Sequence, residues 1–215
     1  MGATTRARRV PWVARHRYGA RLASEWRRLL VLATHRHCRV EFRGPVRLGP
    51  GFSLEIPDAG TLVVGRGVDF RRGFVCEISG NGRVVIGDGT VFTSHALVQC
   101  STSIEIGRRC AFGQAVMLVD GAHAFGDPTR NVLDQGYRYR PLRIGDGVMV
   151  MAKCTIFADV GEGTVVGAHS VVSRPLPAHC LALGAPARPV RSFVTDDAVT
   201  PDAAAGAPMP EGRLR

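Results

Sequence analysis

The sequence predicts an all-β solenoid with a helix before it and a tail after it, and two observations carry the prediction. Aliphatic residues recur every six positions between residues 46 and 176, often with glycine in the next position. Glycine, which is costly inside helices, supplies 26 of the 215 residues. A sustained spacing of six fits neither a helix period nor strand alternation. A solenoid explains it, because each hexad supplies one short strand and one corner.

The repeat is clearest in four ladders whose large apolar residues are expected to point into a shared core. These ladders are Ile86, Phe92, Val98 and Ile104; Ile106, Phe112 and Leu118; Ile144, Val150 and Ile156; and Val160, Val166 and Val172. Leu48 and Val64 fit a less regular start. The spacing falls to four between Ile156 and Val160, which predicts one shortened corner.

Residues 1–45 are predicted to form a basic arm with an amphipathic helix. Residues 1–47 carry 12 arginines and two glutamates, which accounts for the whole net charge of +10. Between Arg21 and His37 an apolar stripe recurs at helical spacing and consists of Leu22, Trp26, Leu29 and Ala33. We expect this apolar stripe to pack on the main domain or on a neighbouring subunit.

Docking of residues 1–40 on an anionic membrane surface or a lipid-linked substrate is the alternative interpretation of the arm. No nucleic-acid partner is expected, because basic residues alone give non-specific affinity and no recognition motif accompanies them. The sequence shows no signal peptide and no apolar run near the roughly 20 residues that cross a bilayer. We therefore expect a cytoplasmic protein, either soluble or peripheral to the membrane.

The six cysteines are predicted to be buried free thiols in a reducing compartment. They form no CxxC pair and no zinc-like spacing, and are Cys38, Cys76, Cys100, Cys110, Cys154 and Cys180. A nucleophilic cysteine is the alternative, although nothing in the sequence places a base beside one.

The hexad pattern stops once, across a loop at residues 119–143. Long segments of this kind are uncommon in compact domains unless they carry function. The loop holds one histidine, His123, with Asp120, Asp127 and Asp134 near it in sequence. Histidine titrates near neutrality, so His123 can take a proton from a hydroxyl or amine, and a carboxylate can orient its ring. Which carboxylate does so stays open.

The segment from Ile104 to Arg191 resembles the hexapeptide-repeat acyltransferases, in particular the sugar O-acetyltransferases of polysaccharide and lipopolysaccharide assembly. The motifs that carry the resemblance are IEIGRRCAFGQAVMLVDGAH, DQGYRYRPLRIGDGVMV and GTVVGAHSVVSRPLPAHCLALGAPARPVR, in that order. The resemblance implies a left-handed parallel β-helix and a homotrimer with active sites between subunits. Acetyl-CoA or another acyl-CoA would be the donor, and a sugar, glycan or glycolipid hydroxyl the acceptor.

The resemblance also implies the roles of individual residues. His123 and Asp120 occupy a D-x-x-H loop that supplies the catalytic base, with no metal and no covalent intermediate. Acyl-CoA is expected to contact Met151, Ala152, Lys153, Gly167, Ala168, Arg174 and Arg188. Met151 stands where relatives usually have glycine and is expected to crowd this channel. The acceptor is expected to meet His95, Asp127 and Arg130.

Several alternatives stay open. The enzyme is alternatively an N-acyltransferase on an amino sugar, or uses acyl carrier protein as donor, or is a non-catalytic trimeric scaffold. A zinc hydratase of the γ-carbonic anhydrase kind is disfavoured, because position 128, where a second histidine is needed, holds Pro128. Residues 177–195 are expected to cap the solenoid, and residues 196–215 to form a disordered tail.

Overall fold

Short strands and tight corners follow one another through most of the chain, and strands of successive coils pair in parallel. In the computed structural model, which describes residues 19–193, they build three sheets that we call faces A, B and C. The chain visits the three faces in turn, so the described part is a three-sided parallel β-solenoid. Residues 1–18 of the predicted arm and the predicted tail at 196–215 lie outside the described residues.

Each face is one parallel sheet, apart from an antiparallel last strand on face B. Face A contains β1 (Arg39–Phe42), β4 (Thr61–Val64), β7 (Arg83–Ile86), β10 (Ser103–Ile106) and β15 (Leu142–Ile144). Face B contains β2 (Arg47–Leu48), β5 (Asp69–Phe70), β8 (Val91–Phe92), β11 (Ala111–Phe112), β16 (Met149–Val150), β18 (Val165–Val166), β20 (Cys180–Gly184) and β21 (Ala187–Ser192). Face C contains β3 (Ser53–Glu55), β6 (Val75–Ile78), β9 (Leu97–Cys100), β12 (Met117–Val119), β17 (Thr155–Ile156) and β19 (Val171–Val172).

The solenoid begins with β1, earlier than the predicted boundary at residue 46. The sequence of β1 has no hexad signal, because its side chains are exposed or half-buried. The predicted cap at 177–195 contains β20 and β21, an antiparallel pair that follows the last parallel strand of face B.

The ladder residues point into the core, as the spacing predicts. All of them are buried, with exposed fractions of 3% or less. On face B, Phe70, Phe92 and Phe112 stack ring on ring, with centroids 5.4 and 4.7 Å apart. Burying one large apolar side chain per face in every coil is what makes the core continuous.

The corner between faces C and A varies in length, and this changes the length of the coil. Thr61 pairs with Arg83, 22 positions later, whereas Val165 pairs with Leu181, 16 positions later. The predicted short corner before Val160 is confirmed, since that residue forms parallel bridges at the expected place on face A.

The prediction of free cysteines is confirmed. Five of the six cysteines are buried, Cys38 is half-buried and none forms a disulfide. Burial, followed by the nearby Asp120 carboxylate, raises the pKa of the Cys100 thiol to about 12. Burial also raises the pKa of the Cys76 thiol. These thiols stay protonated at neutral pH, which makes them poor nucleophiles.

The predicted helix is present as α1 (Ala20–Thr34), but the opposite side of it faces the solenoid. The Ser24 hydroxyl accepts from the Leu48 amide at 2.8 Å and donates to the Val46 carbonyl at 3.4 Å. Arg27 donates to the Leu48 carbonyl at 2.9 Å, and Val31 packs on the core. No helix among residues 19–193 is long and apolar enough to cross a membrane.

The expectation that the apolar stripe packs on the main domain is therefore wrong, because all four of its residues are exposed. The physical reason is the edge of β2. This strand is the first of face B, so its outer backbone groups have no strand neighbour. Such groups need hydrogen-bond partners, and the polar side of α1 supplies them.

Candidate active site

The loop at 119–143 leaves the solenoid at the corner between faces C and A, which we call the C–A corner. It forms an antiparallel hairpin of β13 (Gly121–His123) and β14 (Tyr137–Tyr139), with a short 3-10 helix, Val132–Asp134, between them. This placement sets the only histidine of the loop on a hairpin strand outside the solenoid wall.

His123 ends β13, opposite Tyr137. Its ring is exposed and lies 4.3 Å, centroid to centroid, from the Tyr137 ring, which stacks on Tyr139 at 5.7 Å. Gly121 makes room for this stack, because a Cβ there would lie 2.4 Å from Tyr139. Within residues 19–193 the His123 imidazole makes no hydrogen bond. The exposed ring is therefore not tied to another described residue through its nitrogens.

The Asp120 carboxylate forms no hydrogen bond or ion pair with His123 among the described residues and is directed to the solenoid instead. This carboxylate is 3% exposed and accepts the backbone amides of Ser101 at 2.8 Å, Thr102 at 2.6 Å and Ser103 at 3.0 Å. The Thr102 hydroxyl adds a fourth hydrogen bond at 2.8 Å, and the Cys100 thiol donates a fifth at 3.4 Å. The reason is local, since the C–A corner of the preceding coil presents several amides with no strand to pair them.

Asp120 also closes the base of the loop. Its backbone carbonyl accepts from the Arg140 amide at 2.7 Å, on the far side of the hairpin. The two ends of the excursion are thus joined through one residue, which is itself tied to the coil below. In the geometry of this chain Asp120 is a positioning residue for the strand that carries His123.

The tip of the loop is held by its own side chains. The Asp127 carboxylate accepts from the Thr129 hydroxyl at 2.6 Å and from its amide at 2.9 Å, and these bonds lower the pKa of Asp127. Arg130 donates to the Asp134 carbonyl. Gln135 donates to the carbonyls of Asp127 and Arg130. The predicted acceptor residues Asp127 and Arg130 are therefore engaged inside the tip, and Gln135, which the sequence did not single out, joins them.

Five predicted CoA contacts gather at the corner between faces B and C, which we call the B–C corner. They are Met151, Ala152, Lys153, Gly167 and Ala168, on two consecutive coils. The Met151 amide donates to the Val166 carbonyl at 2.9 Å, and the His169 amide to the Ala152 carbonyl at 3.0 Å.

This corner requires small residues above and below Met151. A Cβ on Gly113 would lie 2.5 Å from the Ala152 nitrogen, and one on Gly167 would lie 2.0 Å from Leu183 Cδ2. Lys153 takes a left-handed backbone with φ of 57°, and its side chain is exposed. This corner therefore presents small residues beside the exposed side chains of Lys153 and Met151.

The two predicted arginine contacts lie in different places. Arg188 pairs across the last hairpin with Leu183, whose side chain covers Gly167, so it belongs to the B–C corner. Arg174 follows β19 and lies at the C–A corner instead. His95 lies at the B–C corner, with φ of 61° and its ring over Gly73, and so is at the other edge of face C from the loop.

Among residues 19–193, no group of three or more His, Cys, Asp and Glu side chains is arranged to hold a metal ion. The chemistry available at the two corners is that of an exposed imidazole, exposed basic groups and backbone amides. These groups can move a proton and bind an anion.

The chain is similar in sequence to proteins named acetyltransferases. No family model matches it. A probable acetyltransferase of Mycobacterium tuberculosis is 29% identical over 174 residues, which cover 80% of this chain and 57% of that protein. A putative acetyltransferase of Schizosaccharomyces pombe is 36% identical over 97 residues, which cover 42% of this chain and 44% of that protein. The chain thus spans about half the length of these relatives.

Solved structures share the fold. A hexapeptide-repeat acetyltransferase of Vibrio cholerae, complexed with acetyl coenzyme A, aligns with a TM-score of 0.55 at 21% identity and covers 80% of this chain and 79% of its own. An N-acyltransferase of Bacillus cereus, in complex with dTDP and coenzyme A, aligns with a TM-score of 0.61 at 18% identity, over 76% and 88%. The resemblance to hexapeptide-repeat acyltransferases, predicted from the motifs, is confirmed.

Proposed function

We propose that this protein is a CoA-dependent acyltransferase, built as a left-handed β-helix and active as a homotrimer. It transfers an acetyl or other acyl group to a hydroxyl of a sugar, glycan or glycolipid precursor. The observation that carries the proposal is the position of His123, exposed on the one excursion from the solenoid and held there through Asp120. The names of the sequence relatives support the class of reaction.

The proposed reaction needs one base. The His123 imidazole takes the proton of the acceptor hydroxyl, and the oxygen attacks the thioester carbonyl carbon. The C–S bond then breaks, and the thiolate leaves with the proton that the imidazolium returns. Backbone amides stabilise the oxyanion that forms between these two steps. Acyl transfer of this kind uses no metal, and no enzyme side chain becomes acylated.

The geometry of one chain favours an active site shared between subunits. His123 stands at the C–A corner, whereas Lys153 and the other predicted CoA contacts around it lie at the B–C corner, on the other edge of face C. One subunit therefore does not bring the base and these CoA contacts together by itself. In the proposed trimer the loop of one subunit lies over the B–C corner of the next, where Lys153 and Arg188 meet the phosphates of CoA.

The decisive experiment is release of CoA thiol from acetyl-CoA with a panel of sugars, nucleotide sugars and amino sugars as acceptors. We expect His123→Ala to lower turnover by about 10³-fold, which is typical of losing a general base. His179→Ala is the matched control, an exposed corner histidine away from both corners of the site, and it should stay within twofold of the parent, or about 0.4 kcal/mol. Equal turnover of parent and His123→Ala would overturn the assignment.

The same panel separates the alternatives. Turnover restricted to amino sugars would make the product an amide, and turnover with acyl carrier protein alone would replace CoA as donor. A chain that neither turns over nor binds CoA in calorimetry would be a scaffold. Light scattering on parent and His123→Ala shows whether the assembly stays intact, so a loss of turnover is not confused with dissociation.

A further inference from the structure

The outer side of α1 is an apolar surface at the start of the solenoid. Leu22 is 73% exposed and Trp26 64% exposed, and Leu29, Leu30 and Ala33 continue the surface toward the end of the helix. Terminal caps of solenoids usually present a polar outer side, because that side meets water. Here the outer side of the terminal helix is apolar instead of polar, so a partner is needed to cover the apolar stripe.

The apolar stripe points away from the solenoid because polar side chains have taken the docking side. Ser24 and Arg27 satisfy the open edge of β2. Beyond the helix, His35 and His37 place their Nε2 atoms against carbonyls of the first coil on face C, Leu54 at 3.1 Å and Ile56 at 2.7 Å. These contacts fix the helix across the end of the solenoid and direct the opposite side outward.

The sequence around this surface carries an excess of arginine. Residues 1–47 hold 12 arginines against two glutamates, and the rest of the chain is balanced. Of the two glutamates, Glu25 is already paired with Arg28 at 2.9 Å, and Glu41 contacts Arg39 and Arg43. Arg21 and Arg36 bound the helix and are exposed. An apolar stripe between arginines is complementary to an anionic lipid surface, where apolar side chains enter the acyl boundary and arginines meet headgroups.

We propose that α1 docks this protein on an anionic membrane surface, with Leu22, Trp26 and Leu29 inserted at the lipid interface. The helix is parallel to the surface and does not cross it. A second copy of the chain is the less suitable occupant, since the subunits of the proposed trimer would pack side by side through faces and corners, whereas the apolar stripe lies beyond the end of the first coil. A surface rich in arginine would also meet the same surface of its copy.

Docking here would hold the proposed enzyme at the membrane, where lipid-linked acceptors are found. The inference does not depend on that activity, because it rests on α1 alone. A protein without turnover would still bind vesicles, and a failure to bind vesicles would leave the catalytic assignment untouched.

The test is co-sedimentation of the full chain with vesicles of phosphatidylcholine, alone or with about 30% phosphatidylglycerol. We expect at least about tenfold stronger partition onto the anionic vesicles, reduced by high salt. Trp26 reports insertion directly in a Trp12→Phe background, because the chain has two tryptophans. Its fluorescence should shift to shorter wavelength on anionic vesicles.

The variant W26S/L29S should lose about tenfold in partition, since two exposed apolar side chains are removed. The matched control V190S/F193S changes two exposed apolar residues at the other end of the solenoid and should bind as the parent does. Urea unfolding confirms that both variants fold. Unchanged partition of W26S/L29S, equal binding to neutral and anionic vesicles, or dissociation of the oligomer by W26S/L29S would each overturn the proposal, the last by assigning the stripe to a subunit contact.

Discussion

Replacing Asp120 by alanine tests whether this residue anchors the loop at 119–143. The change removes the acceptor of five hydrogen bonds. Three come from backbone amides and one from the Thr102 hydroxyl, all between 2.6 and 3.0 Å, and the fifth comes from the Cys100 thiol at 3.4 Å. It leaves the backbone bond to Arg140 in place. The loop would then be joined to the coil below by the chain itself and by much weaker contacts.

The magnitude follows from the environment of the donors. Hydrogen bonds to a charged group contribute about 1.5–3 kcal/mol each when their loss leaves a buried partner unpaired. The corner residues 101–103 are half-buried, so water replaces part of what is lost. We expect Asp120→Ala to lower the free energy of unfolding by about 3 kcal/mol, roughly the value of two such bonds. Asp120→Asn keeps one acceptor oxygen and should cost about half as much.

Urea unfolding measures the free energy of unfolding. The rate of cleavage by trypsin reports how firmly the loop is held, because Arg130, Arg138 and Arg140 are exposed cleavage sites there. Faster cleavage at these sites is expected in Asp120→Ala. Asp88→Ala is the control, since that exposed carboxylate accepts one amide of a neighbouring coil, from Arg66, and should cost under about 1 kcal/mol. A value within 0.5 kcal/mol of the parent for Asp120→Ala, with unchanged cleavage, would refute the anchoring role.

Three further predictions concern the core and the B–C corner. Gly113→Ala should destabilise by about 2–3 kcal/mol in urea, because its Cβ would lie 2.5 Å from the Ala152 nitrogen; a value near zero would mean that the corner relaxes freely. Burial and Asp120 raise the pKa of the Cys100 thiol in the folded protein to about 12. The stability that the protonated thiol contributes is therefore complete below about pH 9 and is lost as the pH rises toward 12. Cys100→Ala should therefore flatten the alkaline decline by up to about 1.4 kcal/mol per pH unit, and a slope as steep as the parent's would contradict this. Under the proposed function, Met151→Ala should lower KM for longer acyl-CoAs more than for acetyl-CoA in the thiol-release assay, because the exposed Met151 side chain lies among the predicted CoA contacts; an equal change for all donors would contradict this.

The core of the solenoid was predictable because every coil has the same requirement for buried apolar side chains. Each coil must bury one large apolar side chain on every face, so a spacing of six identifies inward residues such as Phe92 and Val150 directly. The length of each coil was harder to predict from the sequence. The C–A corner carries no apolar signal, and its length changes from coil to coil, so the residues that become neighbours across it are not visible in the spacing.

Asp120 illustrates the consequence at the site. Its backbone amide partners lie 17 to 19 positions earlier, a distance set by the corner before the loop. Proximity in sequence left three carboxylates, Asp120, Asp127 and Asp134, as possible partners of His123. The helix shows a second limit of the same kind, because the periodicity identified the apolar side of α1 correctly but not the side that docks. Docking was decided by unpaired backbone groups on β2, which become visible only once the sheet order is known.

The two parts that depart from the repeat are attached to it by the same chemistry. Asp120 joins the loop, and Ser24 joins the helix, through side-chain hydrogen bonds to backbone groups that the solenoid leaves unpaired at a corner and at an edge. Attachment of this kind uses few side chains of the loop and of the helix. Other side chains of these two segments, such as His123 on the hairpin and Trp26 on the helix, can then be exposed without weakening the fold. A regular solenoid can therefore carry an exposed imidazole and an exposed apolar surface, because neither is needed to hold the core together; the proposed proton transfer and membrane docking both use this freedom.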